Sequence, residues 1–236
     1  MIYSSQANWG GYIIMGHKNF LAEVLSFWDK LSPGEQEMLI ANTVTRHYRQ
    51  GENVHGGEND CAGVVVVKSG ELRTYILSED GREITLYRLF SGDICILSAS
   101  CVINRITFDV HIDAEMDSEL VIINNEVFAK LAEENVYAEN FVLKEAVGRF
   151  SDVMWTIEQI LFMSMDKRLA RFLLDEAART KSDSIPLTHE QIARYIGSAR
   201  EVVSRMLRYF VGEGLVEQYR GGVRIVDKKR LRTMVT

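Results

Sequence analysis

Residues 187–207, LTHEQIARYIGSAREVVSRML, form the stretch from which the fold of this chain can be predicted. Thr188 is predicted to cap a helix, because a glutamine stands three residues later, the spacing of a capping box. Gly197 is predicted to end that helix, since glycine readily adopts the left-handed conformation of a helix C-terminus. Ser198 is predicted to cap a second helix, with Glu201 three residues later. Two helices joined by so short a turn indicate a helix-turn-helix.

The second predicted helix separates an apolar face from a polar face. The apolar face carries Val203, Leu207, Phe210 and Val211, and the polar face carries Arg200, Glu201, Ser204, Arg205 and Arg208. Guanidinium groups can grip guanine O6 and N7, and a carboxylate can accept a hydrogen bond from cytosine N4. The polar face is therefore predicted to read DNA bases. Three alternatives stay open: Glu201 only closes a capping box, Arg208 only touches phosphate, or the face is merely solvated.

The segment after the second helix is predicted to form a β-hairpin wing. Residues 215–219 and 223–226 are its strands, and Arg220-Gly221-Gly222 is its turn. Arg220 and Arg224 flank the glycines, where they are expected to meet backbone phosphate. Thr188 and Ser198 are also expected at the DNA, and further basic residues follow the wing: Lys228, Lys229, Arg230 and Arg232.

Charge is distributed unevenly along the chain. The 236 residues have a net charge of −6, but residues 165–236 contain 15 Lys and Arg against 9 Asp and Glu, a balance of +6. Residues 1–164 therefore carry −12. An acidic body joined to a basic C-terminal domain indicates that only the latter meets a polyanion, unless the clustering arose by chance.

Upstream of the helix-turn-helix, residues 46–125 are predicted to be rich in β-structure. Short apolar runs alternate with glycine turns, and Asp80-Gly81 between two such runs is a strong hairpin signal. This pattern is typical of a barrel or jelly roll. Helices are predicted over residues 18–45, with a second start at Ser32-Pro33, and over residues 126–163. The fold class is therefore predicted to be α+β.

One stripe of the later helical region has the spacing of a coiled coil. Its members alternate in steps of four and three residues: Leu143, Val147, Phe150, Met154, Ile157 and Leu161. A second apolar set, Val142, Ala146 and Val153, lies beside it and is suited to packing against the β-domain. The stripe is predicted to hold a homodimer together, and a helix buried inside one subunit is the alternative.

Composition argues against a membrane, secreted or metalloenzyme class. The apolar runs are shorter than the roughly 20 residues of a membrane span, and the N-terminus lacks a signal-peptide pattern. Three cysteines, an odd number, suit a reducing cytoplasm. A jelly-roll enzyme would need clustered metal ligands, but His47, His55 and His111 are scattered. A cytoplasmic protein that is not an enzyme and holds no metal is expected.

Residues 187–207 resemble the helix-turn-helix of the Crp/Fnr superfamily of bacterial regulators. Weaker matches are Gly51-Glu52, residues 68–72 and Ser91-Gly92-Asp93, so the resemblance runs through nearly all of the chain from about residue 20. It implies an N-terminal double-stranded β-helix that binds an effector, a long dimerisation helix, and a winged helix that binds a palindromic operator near RNA polymerase.

The resemblance also implies domain limits and residue roles. The expected parts are an N-terminal tail (1–17), a β-roll sensing domain (18–130), a dimerisation helix (131–164) and a winged helix-turn-helix (165–236). The resemblance implies that Arg200, Glu201 and Arg205 read bases. It also implies that Ser204 can read a base, as in the Fnr-like branch of the family.

The chain departs from the family members that bind cyclic nucleotides. Those members carry a glycine-glutamate pair for the ribose and an arginine-serine pair for the cyclic phosphate. The first pair is missing after Gly92-Asp93, and Phe108-Asp109 stands where the second would align. Because a carboxylate repels a phosphate, no cyclic nucleotide is expected. An unknown small effector, apolar or flat, is expected instead, close to Leu97, Asp109, Val153 and Met154.

Cysteine content bears on the other effectors used in the family. The four-cysteine iron–sulfur cluster of the oxygen-sensing branch is not expected, because the chain has only Cys61, Cys95 and Cys101. A redox- or haem-dependent sensor that uses Cys95 and Cys101 or the β-roll pocket is the alternative, although small buried cysteines are commoner. A constitutive regulator with a vestigial pocket is a further alternative.

Overall fold

The computed structural model describes residues 9–56, 62–79, 81, 83–96 and 110–235. These residues form two compact units. The first runs to Ser151 except for Ile76–Leu86, and the second contains Ile76–Leu86 together with the chain from Asp152 onward. Six residues named in the sequence-based predictions, Cys61, Asp80, Leu97, Cys101, Phe108 and Asp109, lie outside the described residues.

The N-terminal helices are α1 (Trp9–Val24), a short 3-10 helix (Trp28–Lys30) and α2 (Pro33–Ala41). The predicted start of α2 is confirmed: the Ser32 hydroxyl accepts from the Glu35 N–H, and the Glu35 carboxylate accepts from the Ser32 N–H at 2.6 Å. The prediction of helix up to residue 45 is wrong at its end. Thr43 begins a strand, because the Thr-Val-Thr run is β-branched and pairs with the last strand of the roll.

Two antiparallel sheets follow, which confirms the predicted β-rich domain. One sheet has the order β1-β8-β3-β6 and the other β2-β7-β4-β5. Their strands are β1 (Thr43–Tyr48), β2 (Asn53–Gly56), β3 (Val64–Ser69), β4 (Glu71–Leu77), β5 (Glu83–Phe90), β6 (Ile94–Cys95), β7 (His111–Ala114) and β8 (Ser118–Ile123). The turn between β4 and β5 has Gly81 at a φ of +79°, and its N–H donates to the Ser78 carbonyl at 2.9 Å. The predicted hairpin is therefore confirmed.

The core of the first unit lies between the sheet β1-β8-β3-β6 and the helices. Helices α3 (Asn125–Glu134) and α4 (Val136–Phe162) complete it. The buried cluster includes Leu21, Phe27, Val64, Val66, Val121, Ile123, Phe128 and Phe141. Burial of each such side chain contributes about 1.5–3 kcal/mol. Val142 and Ala146 pack against this cluster, as predicted for the flank of the coiled-coil stripe.

The second unit contains the C-terminal domain. Its elements are α5 (Met165–Thr180), β9 (Ser184–Ile185), α6 (His189–Tyr195), α7 (Arg200–Gly212), β10 (Val216–Tyr219), β11 (Gly222–Ile225) and α8 (Lys228–Val235). Strands β10, β11 and β9 form one antiparallel sheet, and apolar residues of α5, α6 and α7 pack beside it. The winged helix-turn-helix is confirmed. Strand β9 was not predicted, because two residues are too short for a periodic pattern.

Candidate DNA-binding surface

Helix α6 begins with the predicted capping box. The Thr188 hydroxyl accepts from the Gln191 N–H at 3.2 Å, and the Gln191 side-chain oxygen accepts from the Thr188 N–H at 2.9 Å. Ile192 and Ala193 are buried against the C-terminal core. These contacts set the direction in which α6 leaves the preceding loop.

The turn between α6 and α7 depends on Gly197, whose φ of +59° is left-handed. A Cβ there would lie 3.5 Å from Ile160 Cδ1, an ordinary contact, so the backbone conformation and not lack of space requires glycine. The Ser198 N–H donates to the Ala193 carbonyl at 2.9 Å, which closes the turn. The Arg168 guanidinium donates to the Ile196 carbonyl from α5.

The prediction that Ser198 caps α7 is wrong. The N-cap is Ala199, which has no side-chain hydrogen bond to the helix, and α7 begins at Arg200. The reason is that Ser198 still belongs to the turn through its bond to Ala193, so the first helical residue comes one position later. Without a capping serine, the alternative that Glu201 only completes a capping box loses its basis.

Helix α7 has one buried face and one exposed face. Val203, Leu207 and Phe210 are fully buried, whereas Val211, which was predicted to join them, is 42% exposed near the end of the helix. On the opposite face Arg200, Glu201, Arg205 and Arg208 are exposed, and Ser204 is half-buried. The fold thus brings the predicted base-reading residues together on one side of a single helix.

The charged residues of α7 differ in how firmly they are held. Arg200 Nε lies 4.0 Å from Glu190 Oε2 of α6, a weak contact between two exposed groups. The Arg208 Nε–H donates to the Ser204 carbonyl at 3.4 Å. Within the described part of the chain, the side chains of Glu201 and Arg205 make no hydrogen bond or ion pair. Their side chains are therefore available to a ligand.

His189, which the sequence analysis did not single out, contacts the polar face of α7. Its Nδ1 lies 2.9 Å from the Ser204 hydroxyl oxygen. Burial, and then the nearby Arg200 guanidinium, lower the pKa of His189 below its ordinary value. The pair is separated by fifteen residues in sequence, so only the packing of α6 on α7 brings it together.

The wing presents Arg220 and Arg224 as exposed residues, in agreement with the sequence pattern. Arg224 pairs with Glu217 across the hairpin, and this contact raises the pKa of Arg224. Gly222 is sterically required, because a Cβ there would lie 2.6 Å from the Ile185 carbonyl oxygen of β9. A substitution at Gly222 would therefore displace the third strand of the wing sheet.

The basic residues that follow the wing are partly engaged. Lys228 Nζ lies 2.8 Å from Asp183 Oδ1, and Arg230 donates to the Glu213 carbonyl at 2.8 Å. Lys229 and Arg232 are exposed. Because Lys228 and Arg230 are held by these acceptors, Lys229 is the better candidate for a phosphate contact.

The coiled-coil stripe of α4 is solvent-exposed in the single chain. Exposed fractions range from 40% at Ile157 to 68% at Val147 across Leu143, Val147, Phe150, Met154, Ile157 and Leu161. The alternative of a stripe buried inside one subunit is therefore wrong. An exposed apolar stripe with this spacing is typical of a helix that pairs with another surface.

Part of the expected effector region is described. Val153 is half-buried and Met154 is exposed on α4, and Cys95 is buried on β6. The first unit also holds Tyr87, whose hydroxyl lies beside Thr74 and the Cys95 thiol. Burial is the main cause that raises the pKa of Tyr87 well above its ordinary value, so the phenol stays protonated.

In residues 9–56, 62–79, 81, 83–96 and 110–235 no group of three or more His, Cys, Asp or Glu side chains is placed to hold a metal ion. Nor does any helix of this part of the chain combine the length and the apolar character needed to cross a bilayer.

Comparison with protein families gives two matches. Residues 167–234 match a Crp-like helix-turn-helix domain, and residues 45–135 match a cyclic nucleotide-binding domain. The first match contains α5 to α8 almost entirely, and the second contains the strands of the roll from β1 onward. Both agree with the architecture of the two units.

Individual relatives cover most of the chain. A solved structure from Eubacterium rectale, described as a transcriptional regulator of the Crp/Fnr family, is 46% identical, covers 90% of this chain and 99% of its own, and has a TM-score of 0.86. The cAMP-activated global transcriptional regulator Vfr of Pseudomonas aeruginosa is 24% identical over 191 residues, 76% of this chain and 88% of Vfr. The c-di-GMP-responsive regulator CLP of Xanthomonas campestris shares the fold at 21% identity and a TM-score of 0.68, over 83% of this chain and 100% of CLP.

Proposed function

Because the chain belongs to the Crp/Fnr family of transcription regulators, we propose that it acts in the cytoplasm as a homodimer on an inverted-repeat operator. Members of this family are regulators and not enzymes. The chain carries the helix-turn-helix of a DNA-binding protein. RNA polymerase is the expected protein partner at the promoter.

The exposed polar face of α7 is the observation that carries the proposal. Arg200, Glu201 and Arg205 lie in the first two turns of the helix, and the buried side chains on the opposite face fix its orientation. The N-terminal part of a recognition helix is the part that enters the major groove. Arginine suits guanine and glutamate suits cytosine, so each half-site should contain G·C pairs. Arg220 and Arg224 of the wing, with Thr188 and Ser198 at the turn, are proposed to contact the backbone.

The exposed stripe of α4 supports the homodimer. If two α4 helices paired, most of the exposed apolar surface of the Phe150, Leu161 and Val147 side chains would be removed from water. Such burial stabilises by about 25 cal/mol per Å² of apolar surface. A two-fold dimer presents two copies of α7, and paired helix-turn-helix units read half-sites about one helical turn apart.

The effector is proposed to be a small molecule other than a cyclic nucleotide. Asp109 stands where a phosphate-binding pair would align. The guanidinium of Arg149 donates to the Ile94 carbonyl at 3.3 Å and lies 5.0 Å from the centre of the Tyr87 ring. We therefore do not propose that this chain binds the cyclic nucleotides named for Vfr and CLP.

Polar groups buried in the roll support a ligand with matching polar atoms. Tyr87, Thr74 and Cys95 lie close together in the interior of the first unit. A flat ligand with at least one hydrogen-bonding group would match the polar character of this environment. The lining by Leu97, Asp109, Val153 and Met154 stays a prediction.

Selection of bound duplexes from a random pool, followed by sequencing, tests the proposed function. The expected product is an inverted repeat whose half-sites contain G·C pairs. Recovery of sequences without a shared motif would contradict the proposal. Calorimetry with cyclic AMP and cyclic GMP tests the effector assignment, and micromolar binding of either would overturn it. An ultraviolet–visible spectrum of the freshly purified protein tests the haem and redox alternatives.

A further inference from the structure

His189 and Ser204 form a contact within the proposed DNA-binding surface. His189 is the first residue of α6, and Ser204 lies in the second turn of α7. His189 Nδ1 and the Ser204 hydroxyl oxygen are 2.9 Å apart, which is hydrogen-bonding distance. The imidazole therefore decides how the Ser204 hydroxyl can be used by a base.

The charged groups near the imidazole are Arg200 and Glu190. Arg200 faces it from α7, and Glu190 follows it on α6 and lies 4.0 Å from Arg200. Burial of the ring and the Arg200 charge both lower the pKa of His189, so the neutral form predominates at neutral pH. The protonated fraction of the ring rises as the pH is lowered from 7.5 to 5.5.

The two forms of the imidazole leave the Ser204 hydroxyl with opposite properties. A neutral ring with its proton on Nε2 accepts the Ser204 proton at Nδ1, so the serine oxygen keeps only its lone pairs for a base. A protonated ring donates from Nδ1 to the serine oxygen, which frees the Ser204 O–H to donate. The tautomer with its proton on Nε2 is the one that leaves Nδ1 as the acceptor for Ser204.

We propose that His189 is a specificity-determining residue: through Nδ1 it makes Ser204 an acceptor that selects a base amino group. Cytosine N4 and adenine N6 are the amino groups displayed in the major groove. Protonation of His189 turns Ser204 into a donor, which suits guanine O6 and N7 or thymine O4. This inference rests on the proposed function, because it assigns a role within the same surface.

The test measures equilibrium binding of the full-length protein to a panel of duplexes. The panel consists of the selected operator with each base pair of the half-site varied in turn, at pH 7.5 and pH 5.5. The variants are Ser204→Ala and His189→Phe. The phenylalanine keeps a planar ring at position 189 but has no ring nitrogen. His47→Phe is the matched control, because His47 is exposed on β1 in the other unit.

At pH 7.5 the wild type should prefer cytosine or adenine at one base pair, by about 2- to 12-fold, the contribution of one hydrogen bond. Ser204→Ala and His189→Phe should both lose this preference at that pair and keep the others. At pH 5.5 the wild-type preference should move toward guanine or thymine, while both variants stay unchanged. His47→Phe should behave as the wild type at both pH values.

Two results would overturn the inference. One is a wild-type preference that survives both substitutions, and the other is a Ser204-dependent preference that His189→Phe and pH leave unchanged. If His189→Phe fails to fold, the pH response of the wild type against Ser204→Ala decides by itself. Failure of the proposed function is distinguishable, because the wild type would then show no base preference at any position.

Discussion

At the scale of single residues, Arg205 is the side chain best placed to read a base. It is exposed on the same face of α7 as Arg200 and Glu201, and it makes no hydrogen bond or ion pair to another described residue. Lys228 and Arg230 differ, because each is held by a nearby acceptor. A free guanidinium with a fixed helix position can form a bidentate contact to guanine.

Replacement of Arg205 by alanine should cost about 1–3 kcal/mol per half-site and relax the preference at one base pair. The measurement is a binding titration against the selected operator and a scrambled duplex. Lys229→Ala is the control, and it should weaken binding to both duplexes alike and reduce the salt dependence. Equal losses of Arg205→Ala on both duplexes would identify Arg205 as a phosphate contact.

At the scale of elements, the two helices of the helix-turn-helix begin differently. Helix α6 has a full capping box between Thr188 and Gln191. Helix α7 begins after Ala199 without a side-chain cap, although Ser198 stands one residue earlier. Packing of Val203 and Leu207 in the C-terminal core therefore orders the start of α7 in place of a capping hydroxyl.

This difference predicts unequal effects of two similar substitutions. Thr188→Ala should lower the free energy of unfolding by about 0.5–2 kcal/mol, because it removes the acceptor for the Gln191 N–H. Ser198→Ala should change it by less than about 0.5 kcal/mol, because the Ser198 side chain does not cap the helix. Urea unfolding followed by circular dichroism gives both values. A larger loss for Ser198→Ala than for Thr188→Ala would contradict the assigned caps.

At the scale of the whole molecule, the exposed stripe of α4 is the surface on which the proposed homodimer depends. Its six apolar side chains have coiled-coil spacing and stay exposed in the single chain, whereas the flanking Val142 and Ala146 pack into the first unit. The helix thus packs one face against its own unit and exposes the other, which is the face proposed to contact a second chain. A symmetric pair of recognition helices follows from such a dimer.

Phe150→Glu should convert the dimer into a monomer, because each interface would bury two unpaired carboxylates at a cost of several kcal/mol. Sedimentation velocity at micromolar concentration measures the change. Met116→Glu is the matched control, since Met116 is 49% exposed and lies outside α4, and it should leave the dimer intact. A monomeric wild type would refute the proposed assembly.

The sequence by itself determined the features that depend on local chemistry. The helix-turn-helix, the helix start at Ser32, the capping box at Thr188 and the turn at Gly197 follow from residue types at short fixed spacings, and the structure confirms them. The alternation of apolar runs and glycine turns likewise predicted the β-roll. Such patterns are readable because they reflect hydrogen bonds and backbone angles within a few residues.

Only the tertiary structure decided the features that join distant segments. The end of the first helical region at Ala41 depends on the pairing of Thr43 with Ile123, and the absence of a cap at Ser198 depends on its bond within the turn. The contact of His189 with Ser204 and the grouping of Tyr87 with Thr74 and Cys95 arise from packing of separate elements. The spacing of apolar residues along the sequence carries no information about such contacts, because they form only when elements far apart in sequence bury their apolar faces together.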